Sequence, residues 1–104
     1  MKTFTTSAQK TIRLSQDEIL QKLENELSRS EKVIFENTKD ENIREAKMKD
    51  GSMLVIASFI KDNGMTLAMI DHKKLSSKIK REDVQKKWRK KLDELFCEDL
   101  PSKK

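Results

Sequence analysis

Met53-Leu-Val-Ile-Ala-Ser-Phe-Ile60 is an apolar run, and Lys61-Asp-Asn-Gly64 separates it from a second apolar run, Met65-Thr-Leu-Ala-Met-Ile70. The Asn-Gly pair favours a type I′ turn, because both central residues of that turn need a positive φ. Each run is short and bounded by turn residues, which favours strands over a buried helix. The stretch therefore predicts an antiparallel hairpin at the hydrophobic centre of the protein.

Both strands of this hairpin carry apolar side chains on both faces. Leu54 and Ile56 alternate with Val55, and successive residues of a strand point to opposite faces. A sheet that is apolar on both faces needs cover on both sides. Two helices can share one face or split between the two, and if they share one face, a partner chain covers the other. We therefore expect a homodimer, with a protein ligand as the alternative.

Two amphipathic helices are predicted on either side of the hairpin. Residues 16–28 follow Ser15, which forms a capping box with Glu18, and the apolar side chains of this segment recur on one face. Residues 82–97 place Trp88 on an apolar face, and Pro101 ends any continuation. The last helix carries Cys97 on its polar side, where we expect a surface thiol.

The remaining elements are predicted from weaker signals. Residues 10–14 and 32–36 have strand propensity, residues 37–40 read as a turn, and residues 71–78 form a polar connection to the last helix. Residues 42–49 fit a strand that joins Met53 through a tight turn at Asp50-Gly51, or a short helix that ends at Gly51. The strand is preferred, because it gives the central apolar run a second neighbour.

These elements predict an α+β fold: an antiparallel meander of three to four strands, flanked by an N-terminal and a C-terminal amphipathic helix. The chain of 104 residues fits a single domain over residues 10–100. Residues 1–9 are expected to form a flexible N-terminal arm, and residues 101–104 a flexible tail.

The segment from Thr11 to Leu23, followed by Ser28-Arg-Ser-Glu31, resembles the strand and first helix of ribbon-helix-helix DNA-binding proteins. The resemblance implies that Thr11 and Arg13 point outward, where they would enter the major groove. It covers about a fifth of the chain. That family ends soon after its second helix, whereas this chain continues into the strong hairpin.

The positive charge of the chain is concentrated in one window. The net charge is +5, yet residues 1–52 hold ten basic and ten acidic residues, which balance. Residues 73–91 hold ten basic residues against Glu82 and Asp83, a local charge of +8. Such a block attracts phosphates or an acidic protein surface. The candidate binding residues are Lys73, Lys74, Lys78, Lys80, Arg81, Lys86, Lys87, Arg89, Lys90 and Lys91.

No arrangement typical of catalysis or of cofactor binding is visible in the sequence. His72 is the only histidine and Cys97 the only cysteine, so a zinc site is not expected, and His72 is expected to lie in a surface turn. Gly51 and Gly64 are the only glycines, which leaves no glycine-rich phosphate loop. We expect no enzyme activity, no metal, no cofactor and no small-molecule substrate.

The expected location is the cytoplasm, away from the membrane. A single cysteine fits a reducing compartment, and the first residues lack the apolar core of a signal peptide. The sequence thus predicts a small regulatory binding protein whose basic C-terminal half contacts an anionic partner, in the first place nucleic acid. The alternative is an inhibitor or adaptor that binds a protein through the apolar hairpin or an acidic target through the basic helix.

Overall fold

The structure is a computed structural model that describes residues 3–62, 64–76 and 78–96. Its seven elements are, in chain order, β1 (Thr3–Ile12), α1 (Gln16–Glu31), β2 (Glu36–Asn37), β3 (Ile43–Lys47), β4 (Met53–Ile60), β5 (Thr66–Ser76) and α2 (Arg81–Leu95). The strands form one antiparallel sheet in the order β1-β5-β4-β3-β2. The expected α+β class, central hairpin and two flanking helices are therefore present, with five strands instead of three or four.

The central position of β4 follows from its composition. It pairs with β3 on one side and with β5 on the other, and every residue from Leu54 to Ser58 is buried. The preferred strand interpretation of residues 42–49 is confirmed, because β3 supplies the second neighbour of β4. Gly51, at a φ of +91°, closes that hairpin by donating its N–H to Met48 O over 3.0 Å.

Both helices cover the same face of the sheet. Even-numbered residues of β1, β3, β4 and most of β5 point to this face, where Leu54, Ile56 and Ile70 meet the helices in one core. Helix α1 contributes Leu20 and its apolar neighbours to that core, and α2 contributes the fully buried Trp88. Of the two arrangements open from the sequence, the helices thus take the shared face.

On the opposite face of the sheet, the described residues place no helix. Odd-numbered residues point there, and the centre of this open face is apolar: Met53, Val55, Ala57 and Phe59 on β4, Leu67 and Met69 on β5, and Ile43 on β3. Val55 and Ala57 are small and are buried by their neighbours, whereas the side chain of Phe59 remains 38 % exposed.

The N-terminal expectation is wrong for residues 3–9. They belong to β1, which pairs with β5 from Thr3↔Ser76 to Ile12↔Thr66 instead of forming a flexible arm. Small inward side chains, Thr6 and Ala8, let α2 approach this strand, and Gln85 of α2 donates to the Ser7 carbonyl over 3.1 Å. The strand expected at residues 10–14 is only the end of β1.

Two further boundaries differ from the expectation. Residues 71–78 are not a plain connection, because β5 continues to Ser76 against the N-terminal end of β1. Residues 32–36 form no strand of their own: Val33 and Phe35 fill the core from irregular chain, and only Glu36–Asn37 pairs with β3.

The helix and turn signals are confirmed in part. Ser15 and Glu18 form the expected capping box, and α1 runs three residues further than expected, to Glu31. The β4–β5 loop is longer than a two-residue turn, because the N–H of Lys61 donates to Met65 O over 2.8 Å. Gly64 has the expected positive φ of +75°. Asn63, Cys97 and the tail at residues 101–104 lie outside the described residues.

Replacing Trp88 by alanine should lower the free energy of unfolding by about 3–5 kcal/mol, because the side chain is fully buried and leaves a cavity. Urea unfolding followed by far-ultraviolet circular dichroism measures the change, since the variant has no tryptophan. The exposed Lys90→Ala is the control and should stay within about 0.5 kcal/mol of the parent. A loss below about 1 kcal/mol in Trp88→Ala would contradict this placement.

Candidate functional site

The ten basic residues of the window fall into separate groups in the fold. Lys87 and Lys91 face α1, where Lys87 Nζ lies 3.2 Å from Glu31 Oε1 and Lys91 Nζ lies 2.9 Å from Glu26 Oε2. The Lys91 ammonium holds the pKa of the Glu26 carboxyl below its usual value. These two lysines join the helices, and Glu31 and Glu26 balance their charge.

Three more basic residues lie on the exposed surface of α2, away from the sheet. Lys86, Arg89 and Lys90 are exposed, and the exposed Glu94 lies on the same helix, whereas Asp93 pairs with Lys10 of β1 over 3.0 Å. Lys73 lies elsewhere, on the open face of the sheet next to Met53 of β4. The window of the sequence is thus not one continuous surface.

The other four predicted residues meet at one end of the sheet. Lys74 ends the regular part of β5, Lys78 and Lys80 follow in the connection to α2, and Arg81 opens the helix. The β3–β4 hairpin adds Lys49, which the sequence did not single out. All five side chains are exposed. We call this set the basic end: Lys49, Lys74, Lys78, Lys80 and Arg81.

Two residues of this set, Lys74 and Arg81, contact neighbouring elements of the fold. Lys74, Ser76 and Ile79 line a groove with Thr3 and with the Asp50-Gly51 turn of the β3–β4 hairpin. The guanidinium carbon of Arg81 lies 5.2 Å from the centre of the Phe4 ring, which anchors the start of α2 to β1. Within the described part of the chain, none of the four lysines of the basic end has an ion-pair partner.

A β-bulge directs Lys74 outward. Between the pairs Phe4↔Leu75 and Thr6↔His72, β5 has one residue more than β1, so Lys73 and Lys74 together oppose Thr5. Lys74 takes a φ of +60°, a left-handed conformation that favours glycine. The bulge shifts the alternation of β5, so that Leu75 turns inward and is buried although His72 already faces the core.

Three carboxylates lie near the basic end. Glu82 and Asp83 are exposed in the first turn of α2, where acidic side chains favour the helix dipole. Asp50 is exposed as well, but its Oδ1 accepts from the Ser52 hydroxyl at 2.5 Å and from the Ser52 N–H at 2.9 Å. The Ser52 hydroxyl bond holds the pKa of Asp50 below its usual value. The five cations thus keep a local excess of positive charge.

His72 is buried under this end of the sheet, so its expected place in a surface turn is wrong. Its Nε2 lies 2.8 Å from Ser52 Oγ, and its Nδ1 accepts from Trp88 Nε1 at 3.2 Å. The chain of hydrogen bonds Trp88–His72–Ser52–Asp50 therefore ties α2, β5 and the β3–β4 hairpin together. The sequence around His72, a single histidine next to the polar Asp71, does not indicate its hydrogen bonds to Trp88 and Ser52.

The direction of each hydrogen bond between Trp88, His72, Ser52 and Asp50 shows whether Ser52 can act as a nucleophile. An indole N–H can only donate, so His72 Nδ1 carries no proton and Nε2 carries the one of the neutral ring. Nε2–H then donates to Ser52 Oγ, whose own proton goes to Asp50. A serine nucleophile needs the opposite direction, with the imidazole accepting the hydroxyl proton. The arrangement suits a structural link between three elements.

Other signals for chemistry are few in the described residues. No group of three or more histidine, cysteine or acidic side chains that could hold a metal ion occurs among them. None of the helices in residues 3–62, 64–76 and 78–96 has both the length and the apolar character needed to cross a membrane. Thr11 and Arg13 are exposed as the ribbon-helix-helix resemblance implies, but Thr11 belongs to β1, which pairs with β5 in a five-stranded sheet, and Arg13 follows the end of that strand.

Comparison with known proteins adds no relative: no protein-family model, no curated protein and no solved structure matches this chain. The function has to be inferred from its own side chains.

The stability of the fold should depend on pH through His72. Burial lowers the pKa of this imidazole below 6.5, the Asp50 carboxylate opposes that shift, the Lys87 ammonium adds to it and Glu31 opposes it. The folded chain then binds the proton less readily than the unfolded chain. The stabilisation is complete above the unfolded pKa and is lost as the pH falls, by at most about 1.4 kcal/mol per pH unit.

Urea unfolding from about pH 7.5 to about pH 5.5 measures this dependence. His72→Gln is the control, because the chain has no other histidine. The variant should be less stable than the parent at the upper pH and should lose less stability as the pH falls. A parent protein whose unfolding free energy stays constant over this range would contradict the prediction.

Lys74→Gly should leave the free energy of unfolding unchanged or raise it by up to about 1 kcal/mol, because glycine takes a positive φ without steric cost. Lys73→Gly is the matched control at the neighbouring position, where φ is not positive, and should cost about 0.5–1 kcal/mol. Equal losses in both variants, measured by urea unfolding, would show that the left-handed backbone at Lys74 carries no strain.

Proposed function

We propose that this protein is a small, non-enzymatic binding protein whose basic end contacts the phosphate backbone of nucleic acid. The observation that carries the proposal is that Lys49, Lys74, Lys78, Lys80 and Arg81 are exposed on neighbouring segments at one end of the sheet, where Lys74 lines a groove with Ile79 and the Asp50-Gly51 turn. Two other basic residues of the same window, Lys87 and Lys91, have carboxylate partners on α1. Cations left without such partners are those that phosphates can engage.

The start of α2 supports binding of an anion at this place. The N-cap residue Lys80 makes no side-chain capping bond, so no side-chain cap occupies the N–H groups of the first turn, of which Asp83 N–H donates to Lys80 O over 3.2 Å. The helix dipole adds a partial positive charge there, which the first-turn acids Glu82 and Asp83 offset in part. Lysine ammonium groups act as point charges, and only Arg81 offers a planar fork for two hydrogen bonds.

This composition favours recognition of the backbone over recognition of bases. Phosphate contacts set affinity and position, whereas sequence is read by side chains that reach the base edges. Phe4, the aromatic side chain next to the basic end, lies under Arg81 and does not offer a free stacking surface. We therefore propose binding that is largely independent of sequence and weakens strongly with salt.

Neutralising Lys78 and Lys80 together should weaken binding to labelled DNA and RNA and should reduce the slope of log affinity against log salt by about 1–2. The variant Lys78→Gln/Lys80→Gln is measured by fluorescence anisotropy over a salt series, with single and double strands. Lys86→Gln/Lys90→Gln is the matched control, with the same loss of charge on the outer surface of α2, and should change the affinity less.

Equal effects of the two double variants would mean attraction by net charge alone and would contradict a defined basic end. No binding of the parent at low salt would overturn the nucleic-acid proposal. Competition with polyglutamate of matched charge distinguishes nucleic acid from an acidic protein surface as the partner. If polyglutamate displaces labelled DNA as well as unlabelled DNA does, an acidic protein surface is favoured.

Neutralising an acid near the basic end should have the opposite effect. Glu82 is exposed in the first turn of α2 and repels phosphates that approach Lys80 and Arg81. Glu82→Gln should therefore raise the affinity for DNA at low salt by a factor of about 2–5. Glu94→Gln, at the other end of the helix, is the control. Equal affinities of Glu82→Gln and the parent would contradict the position of the site.

A further inference from the structure

The open face of the sheet has an ordered distribution of charge around its apolar centre. Strand pairing places Glu45 of β3, Val55 of β4 and Asp71 of β5 in one row across the sheet. The next row along the strands holds Lys47, Met53 and Lys73. We call these the acidic row and the basic row. They lie about 6.8 Å apart, the distance of two residues along a strand.

This order makes the face complementary to itself. Consider two copies whose open faces meet, related by a two-fold axis between the sheets. If the axis runs perpendicular to the strands and passes midway between the two rows, it places the acidic row of each copy over the basic row of the other. On β3, Glu45 then faces Lys47 of the second copy, and on β5, Asp71 faces Lys73. Val55 and Met53 meet at the centre. A two-fold axis parallel to the strands would place acid over acid, so the charges select one arrangement.

The side chains of the open face are also suited to burial in an interface. Its central side chains are apolar, and burial already raises the pKa of the Asp71 carboxyl above its usual value. A cation from a facing copy would stabilise the charged form of that carboxylate. Lys47 and Lys73 are exposed and can extend across the space of about 10 Å between packed sheets.

We propose that the open face is the interface of a homodimer, in which the acidic row of each copy faces the basic row of the other. Four strands of about eight residues give roughly 500 Å² of flat area per copy, and thus roughly 1,000 Å² in total. That area is at the lower limit for specific association. The dimer therefore forms in the micromolar range and exchanges with the monomer. It does not depend on nucleic acid or on the basic end.

Sedimentation equilibrium without nucleic acid, from about 1 µM to about 500 µM protein, tests the association. Glu45→Lys and Lys47→Glu lie on the short strand β3, where both side chains reach solvent, so folding should persist and is checked by circular dichroism. Each variant alone puts like charges opposite each other on β3 and should weaken the dimer at least tenfold. An equimolar mixture of the two variants restores opposite charges in both β3 contacts and should recover dimers close to the parental affinity.

The control is Lys90→Glu, a charge reversal on the outer surface of α2 that should leave the association unchanged. Recovery in the mixture, together with weakening in Lys47→Glu, supports the two-fold arrangement. Loss of fold cannot be repaired by mixing, and repulsion by net charge alone would strengthen the Lys47→Glu dimer, because that variant carries less positive charge than the parent. A parent protein that stays monomeric over the whole range overturns the proposal. So does a dimer that none of these variants affects, and so does a mixture as weak as its components.

Discussion

The structure depends on a central strand that is apolar on both faces, in a fold whose described residues form two helices. β4 can be buried only inside a sheet, and the neighbours it needs are β3 and β5. Both helices then pack on one side, because Trp88, Leu92 and the apolar stripe of α1 close a single core there. The other side of β4 keeps its apolar side chains without a helix. The rest of the architecture follows from the placement of both helices on one face of the sheet.

The hydrogen-bond chain from Trp88 to Asp50 links the core to the surface at one end of the sheet. It joins α2 to the β3–β4 hairpin through His72, next to the bulge that turns Lys74 outward. The positions of Lys49 and Lys74 are thus set by elements that are fixed to one another. Lysines held on rigid elements lose less conformational entropy on binding than lysines on a flexible loop.

The sequence predicts correctly those features whose interacting residues are close together in the chain. The capping box of Ser15 and the turn at Asp50-Gly51 use residues within a few positions of each other, so their chemistry is visible in the chain. β1 was missed because its inward residues, Thr6 and Ala8, are small or polar and its partner β5 is distant in sequence. The pairs of Lys87 and Lys91 with α1 were invisible for the same reason, since periodicity does not show which helix lies alongside.

The pairing of β1 with β5 also determines the order in which this chain can fold. β1 pairs with β5 from Thr3↔Ser76 to Ile12↔Thr66, so β1 can enter this pairing only after β5 has been synthesised. Pairings this distant in sequence slow folding, because the long loop between them must close first. An unpaired apolar strand would aggregate during that delay. β1 has threonine, serine and glutamine side chains between its apolar ones, and such a polar strand is less prone to aggregate while unpaired than an apolar one.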